Sequence, residues 1–205
     1  MTEITYTGLL TGDTPLELVP AAVSLLAGGE PVELARLADA AGWPLAKVKT
    51  VLSRFPRVDW DDSGRLAGLG LTLRPTGHRF TVDGHALFTW CAMDTLLFPL
   101  VLGRAAQVAS TCPATRQEVS LTVGPDLVSG LTPTTAVVSQ VTTPDPVADI
   151  RTTVCDHGHF FASADAAGDW LAQHPGGRVQ PVAEAFQTGR EWHARQGWAR
   201  GNLPC

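Results

Sequence analysis

Two short stretches hold residue types that can do chemistry together. The first is Trp90-Cys91-Ala92-Met93-Asp94-Thr95-Leu96-Leu97-Phe98-Pro99, which sets a thiol and a carboxyl three residues apart. Ala92, Met93, Leu96 and Leu97 favour a helix, and in a helix positions 91 and 94 are neighbours on one face. The second is Val154-Cys155-Asp156-His157-Gly158-His159-Phe160-Phe161, which supplies another thiol. Cys91 follows an apparent strand and opens the helix, where free N–H groups and the helix dipole favour a thiolate. Asp94 lies among Trp90, Met93, Leu97 and Phe98, so it should lose hydration and hold its proton to higher pH.

Two thiolates select a soft metal. One carboxyl and no certain imidazole make a poor four-ligand zinc set, but they suit a metal content with two or three ligands, such as mercury. If such a metal arrives bonded to carbon, the thiolates weaken that bond by pushing electron density onto the metal. A carboxylic acid beside them can then protonate the carbon as it leaves, so no free carbanion forms. His157 and His159 alternate along what reads as an extended segment and so point to opposite sides. One can approach Cys155 and lower its pKa; the plainer reading is a pair of hydrogen-bonded structural histidines. Trp90 is read either as core or as a wall of the pocket.

The elements that must position these groups fall into two parts. Thr14-Pro15-Leu16-Glu17 starts a helix that ends at Gly28-Gly29, with Leu16, Val19, Val23 and Leu26 at helical spacing. Further helices run from Pro31 to Gly42 and from Pro44 to Phe55, which Pro56 closes. Asp61-Asp62-Ser63-Gly64 then turns a hairpin. Three helices and a hairpin predict a winged-helix-like module over residues 1–75. Beyond it, residues 69–73, 79–82, 86–88, 107–110, 119–123, 134–141 and 150–155 read as strands. Helices are expected over 90–102, from Ser163 to His174 and from Pro181 to Gln196. The fold class is α+β: the three-helix module, then an antiparallel sheet region with packed helices over residues 76–205, the two parts packed as one unit.

Composition narrows the function. Of 205 residues, 44% are hydrophobic and 17% charged, so a sizeable core forms. The net charge of −5 gives no general attraction for nucleic acid or an anionic membrane. Residues 31–60 carry five basic against three acidic side chains, a faint footprint for a DNA reader. No apolar run of ~18 residues occurs, and Met1 to Leu10 do not read as a secretory leader, so a cytoplasmic protein without a membrane partner is expected. There the four cysteines, Cys91, Cys112, Cys155 and Cys205, stay reduced. Two other readings remain at this point. One is a winged-helix, metal-responsive transcriptional regulator with a thiolate site. The other is a zinc or copper module using Cys91, Cys155, His157 and His159.

The segment from Phe88 through Pro99 resembles the core of the organomercurial lyase (alkylmercury lyase) family. So do Cys155 through Phe161 with Ala162-Ser163, and the pieces Gly70-Leu71-Thr72-Leu73, Ser120-Leu121-Thr122-Val123 and Glu184-Ala185-Phe186. The likeness runs in order from Leu16 to Trp192. It implies an enzyme that cleaves carbon–mercury bonds by protonolysis, giving a hydrocarbon and Hg(II). By position, Cys91 and Cys155 would be the catalytic cysteines and Asp94 the acid, all three contacting mercury, and Cys112 would be structural. The family needs no bound cofactor; external low-molecular-weight thiols deliver substrate, and mercuric reductase receives Hg(II). Some members carry a cysteine where this chain has Asp156, and Cys205 has no counterpart. Nothing in the chain demands a dimer, so a monomer is expected.

Overall fold

The computed structural model describes residues 15–55, 57–141 and 149–198. A 3-10 turn at Pro15–Leu18 leads into α1 (Val19–Leu26), whose Val19, Ala22, Val23 and Leu26 face inward. Thr14, Pro56 and Cys205 lie outside the described residues, as do the expected loop 142–146 and the tail beyond Trp198. α2 (Leu34–Ala41) stops at Gly42, whose φ of 66° is left-handed and suits glycine. α3 (Leu45–Ser53) buries Val48, Val51 and Leu52. The helix expected from Pro31 begins only at Leu34, because Val32 is spent on a two-way backbone bridge with Leu66. That bridge seats the helices on the wing, β1 (Asp59–Trp60) and β2 (Leu66–Leu69).

The wing continues into the main sheet. β3 (Leu71–Thr72), β4 (His78–Val82), β5 (His85–Thr89), β6 (Ala106–Thr111), β7 (Glu118–Val123) and β8 (Val128–Thr132) join β1 and β2 in one antiparallel sheet of eight strands, ordered β1-β2-β3-β5-β4-β6-β7-β8. A second antiparallel sheet, ordered β10-β9-β11, is built from β9 (Val137–Gln140), β10 (Phe160–Phe161) and β11 (Arg178–Pro181). β8 and β11 are absent from the sequence reading. β8 alternates weakly and stays largely exposed, and β11 is a four-residue piece after the Pro175-Gly176-Gly177 break.

α4 (Ala92–Leu102) is the centre of the molecule. Ala92, Met93, Thr95, Leu96, Phe98, Pro99, Leu100, Val101 and Leu102 are all buried, as expected of a helix apolar on every side. It packs chiefly on α7 (Val182–Gln196) and also on α1. Fully burying a side chain such as Leu96 contributes roughly 2–3 kcal/mol. Pro99 sits inside the helix, where it removes one backbone hydrogen bond.

One expected strand is a helix. Residues 150–155 form α5 (Ile150–Thr153) followed by a 3-10 turn, Cys155–His157. The cause is local: the Asp149 carboxylate accepts from Arg151 N at 3.1 Å and Thr152 N at 3.3 Å, which caps a helical turn. His157 therefore lies in a turn rather than on an extended segment. The helix expected from Ser163 is a 3-10 turn, Asp165–Ala167, running into α6 (Gly168–Gln173), with Ser163 Oγ accepting from Ala166 N at 3.1 Å. Among the described residues no helix is long and apolar enough to cross a membrane.

Candidate active site

β5 delivers the chain to the site. Trp90 N donates to Gly70 O at 2.9 Å, and Cys91 follows as the residue capping the N-terminus of α4, in extended conformation (φ −146°, ψ 171°). Asp94 is the third helical residue, so helix geometry returns its carboxyl toward Cys91. Cys155 begins the 3-10 turn after α5, and Gly158 N closes back on Cys155 O at 2.9 Å.

Two devices bring the halves together. Ala92 N donates to Gly158 O at 2.9 Å, which ties the start of α4 to the Cys155 turn. Ser139 on β9 is buried; its hydroxyl donates to His157 O at 2.8 Å and accepts from His159 N at 2.9 Å. Glycine at 158 permits this close approach, because a Cβ would stand 3.0 Å from Cys91 Cβ and 3.6 Å from Cys91 Sγ. As a result one atom each from Cys91, Asp94 and Cys155 lie within 4.8 Å of one another. Among the described residues this is the only cluster of three or more His, Cys, Asp or Glu placed to share a metal. His157 and His159 are outside it, so the four-ligand set with both histidines does not form. His157 Nδ1 instead meets His174 Nε2 at 3.1 Å, and the His159 ring stacks 6.3 Å from His78.

The three groups open onto a cavity of about 270 Å³. Trp90, Met93, Leu97, Phe98 and Trp192 give it an apolar wall, and Leu16, Val19, Phe55 and Val58 of the helical module close one side. Asp94 as a residue is half-buried, yet its Oδ2 is sealed from solvent without a hydrogen-bond partner. Burial pushes its pKa up to about 6, against the pull of the Cys91 thiol and of the Cys91 and Trp90 N–H groups. Cys91 and Cys155 are both buried and reduced. Their mutual hydrogen bond raises Cys91, and burial with the Asp94 charge drives it well above an ordinary thiol. The same bond lowers Cys155, as does Arg151, but burial and the charges of Asp94 and Asp156 leave it raised overall. A helix-end position favours a thiolate, whereas the Cys155 hydrogen bond, burial and the Asp94 charge push the Cys91 thiol the other way.

Cys112 is elsewhere, packed with Phe161 and Trp170. Burial alone would raise it, but the Thr115 hydroxyl and the N–H groups of Thr115, Ala162 and Ala114 hold it lower. The sequence reading did not single out Asp59, Ser139, Arg151 or Gly158. Asp59 stands in the charged stretch Arg57-Val58-Asp59-Trp60-Asp61-Asp62, where neither its type nor its spacing sets it apart.

A winged-helix module sharing its sheet with a buried pair of thiols and a carboxyl of raised pKa defines a class of soft-metal enzyme. Known proteins make the class specific. The family model "Alkylmercury lyase" matches residues 71–194, and "Helix-turn-helix domain of alkylmercury lyase" matches residues 7–70. Alkylmercury lyase of Bacillus cereus is 49% identical over 168 residues, 82% of this chain and 77% of its own. That of Pseudomonas putida is 45% identical over 184 residues, 88% of this chain and 86% of its own. The crystal structure of the mercury-bound form of MerB2 superposes with a TM-score of 0.71 at 25% identity, covering 89% of this chain and 92% of that one. The chain belongs to the alkylmercury lyase family and is an organomercurial lyase.

Proposed function

We infer that the cavity cleaves the carbon–mercury bond of alkyl- and arylmercury compounds by protonolysis, with Cys91 and Cys155 gripping mercury and Asp94 carrying the proton. The observation that carries this is the grouping of two sulfurs and one carboxyl within 4.8 Å, with the Asp94 Oδ2 unpartnered and buried. Both thiols hold their protons, so they bring two protons to the reaction. Substrate arrives as R–Hg–SR′, on a small external thiol. One cysteine displaces R′S⁻, which leaves as R′SH with the first proton. The second cysteine bonds to mercury and passes its proton to Asp94. Asp94 delivers that proton to the carbon, whose bonding pair with mercury becomes the new C–H bond. Hydrocarbon leaves, and Hg(II) stays on two sulfurs until external thiols lift it away.

Nothing is oxidised or reduced, so the scheme calls for no cofactor. The thiol-borne Hg(II) is then a substrate for mercuric reductase. The reaction needs both thiols free, which suits a reducing compartment such as the cytoplasm. One chain supplies every group, so a monomer suffices, and no nucleic acid or membrane takes part. The decisive experiment incubates the protein with methylmercury or phenylmercury and excess thiol and measures methane or benzene. Release of hydrocarbon is expected; its absence with both substrates would sink the reading.

A further inference from the structure

Asp59 lies on β1, in the N-terminal module, and is buried at 8% exposure. Both its carboxylate oxygens are occupied. Oδ2 accepts from Trp90 Nε1 at 2.9 Å and from Thr72 Oγ1 at 2.8 Å. Oδ1 accepts from an Arg151 guanidinium nitrogen at 2.8 Å. Arg151 also donates to Arg57 O at 3.2 Å and lays its guanidinium 4.7 Å from the centre of the Trp90 ring. Gly68 leaves the room for this, since a Cβ there would stand 2.7 Å from Asp59 Oδ2. Trp90 immediately precedes Cys91, and Arg151 sits on α5 just before the Cys155 turn. A single carboxylate, from a third part of the chain, thus holds one residue beside each sulfur.

We propose that Asp59 is a positioning residue for the reaction, bracing Trp90 and Arg151 so that the Cys91 and Cys155 turns keep the spacing at which one mercury reaches both sulfurs. This rests on the lyase reading of the cavity. Removing the carboxylate leaves a guanidinium half-buried without its counter-charge and an indole N–H without its acceptor. Both then seek other partners, and the turns they border shift with them. A displacement of ~1 Å at reacting groups costs on the order of 100-fold in rate. The helical module gains a task from this: β1 braces the centre from behind Trp90 and Arg151.

The test measures kcat and KM for phenylmercury with excess thiol in the parent, Asp59→Asn, Trp90→Phe and the double variant. Trp90→Phe keeps a ring under Arg151 but deletes the N–H that Asp59 holds. Each single change is expected to lower kcat by about 10- to 100-fold with KM within about threefold, and the double variant to fall no further than the weaker single. A kcat for Asp59→Asn within twofold of the parent, or losses that multiply in the double variant, overturns the proposal. If Asp59→Asn does not fold, Trp90→Phe decides: loss of kcat at an unchanged melting temperature supports the brace, and parental kcat overturns it. If the parent itself releases no benzene, the lyase reading has failed, and Hg(II) titration decides the brace alone. The parent should then show the ultraviolet sulfur-to-mercury band of one Hg(II) on two sulfurs, and Asp59→Asn should need about tenfold more Hg(II) to reach it; equal titrations overturn the proposal.

Discussion

Gly158 O accepts the Ala92 N–H at 2.9 Å, so the first helical residue of α4 and the turn that carries Cys155 form one rigid unit. Cys91 immediately precedes its donor residue, and Cys155 lies three residues before its acceptor. The absence of a side chain at Gly158 lets the two turns approach until its Cβ position is 3.0 Å from Cys91 Cβ.

Gly158→Ala should therefore push the turns apart. The expected cost is about 1–3 kcal/mol in stability, as for overpacking a core, with hydrocarbon release down by tenfold or more. Denaturant unfolding and steady-state kinetics measure the two effects. Parental activity in a folded Gly158→Ala protein contradicts the geometry.

Asp94 ties stability to pH. Its folded pKa is about 6, above the ~3.9 of an unfolded chain, so between these values the folded state binds more protons. The contribution of Asp94 to stability is fully present below pH 4, is lost as pH rises through 4 to 6, and stays lost above. The charged carboxylate thus costs ~3 kcal/mol near neutrality. Asp94→Asn should recover part of this at pH 8 and none at pH 4, while still binding Hg(II) and releasing little hydrocarbon. Melting curves at the two pH values, with a product assay, check it. A variant that is less stable at pH 8, or as active as the parent, rules the assignment out.

The thiols should differ in reactivity. Their shared hydrogen bond and the charge of Arg151 lower Cys155, while Cys91 is held well up. Limited alkylation at pH 8, read by peptide mass mapping, should label Cys155 before Cys91, because the thiolate is the nucleophile. Equal or reversed labelling goes against the geometry. Cys91→Ser and Cys155→Ser are each expected to abolish turnover.

Ser139 clamps the chain on both sides of Gly158, through His157 O and His159 N. Ser139→Ala leaves a buried donor and acceptor without their partner, a cost of about 1–3 kcal/mol. Because the clamp sets where Cys155 points, kcat should drop about tenfold while the protein stays folded at 25 °C. Unchanged kcat would show that Gly158 and Ala92 hold the turn unaided.

Local chemistry made much of this protein readable in one dimension. Cys91 and Asp94 are three residues apart, and helix geometry alone brings them together. The all-apolar character of α4 marked the centre, and helix stops such as Gly42 marked the module. Tertiary structure decided the rest, because the missing information was pairing between distant segments. Residues 150–155 are rich in β-branched side chains and read as a strand, yet the Asp149 cap and the neighbouring sheet turn them into α5 and a 3-10 turn. The environment of Cys91 follows a like rule: helix position is local, whereas the nearby sulfur and desolvation come from the whole fold. That Cys155 meets Cys91 at all depends on a glycine carbonyl, a serine hydroxyl and an aspartate on the wing, none of which announces its partner by type or spacing.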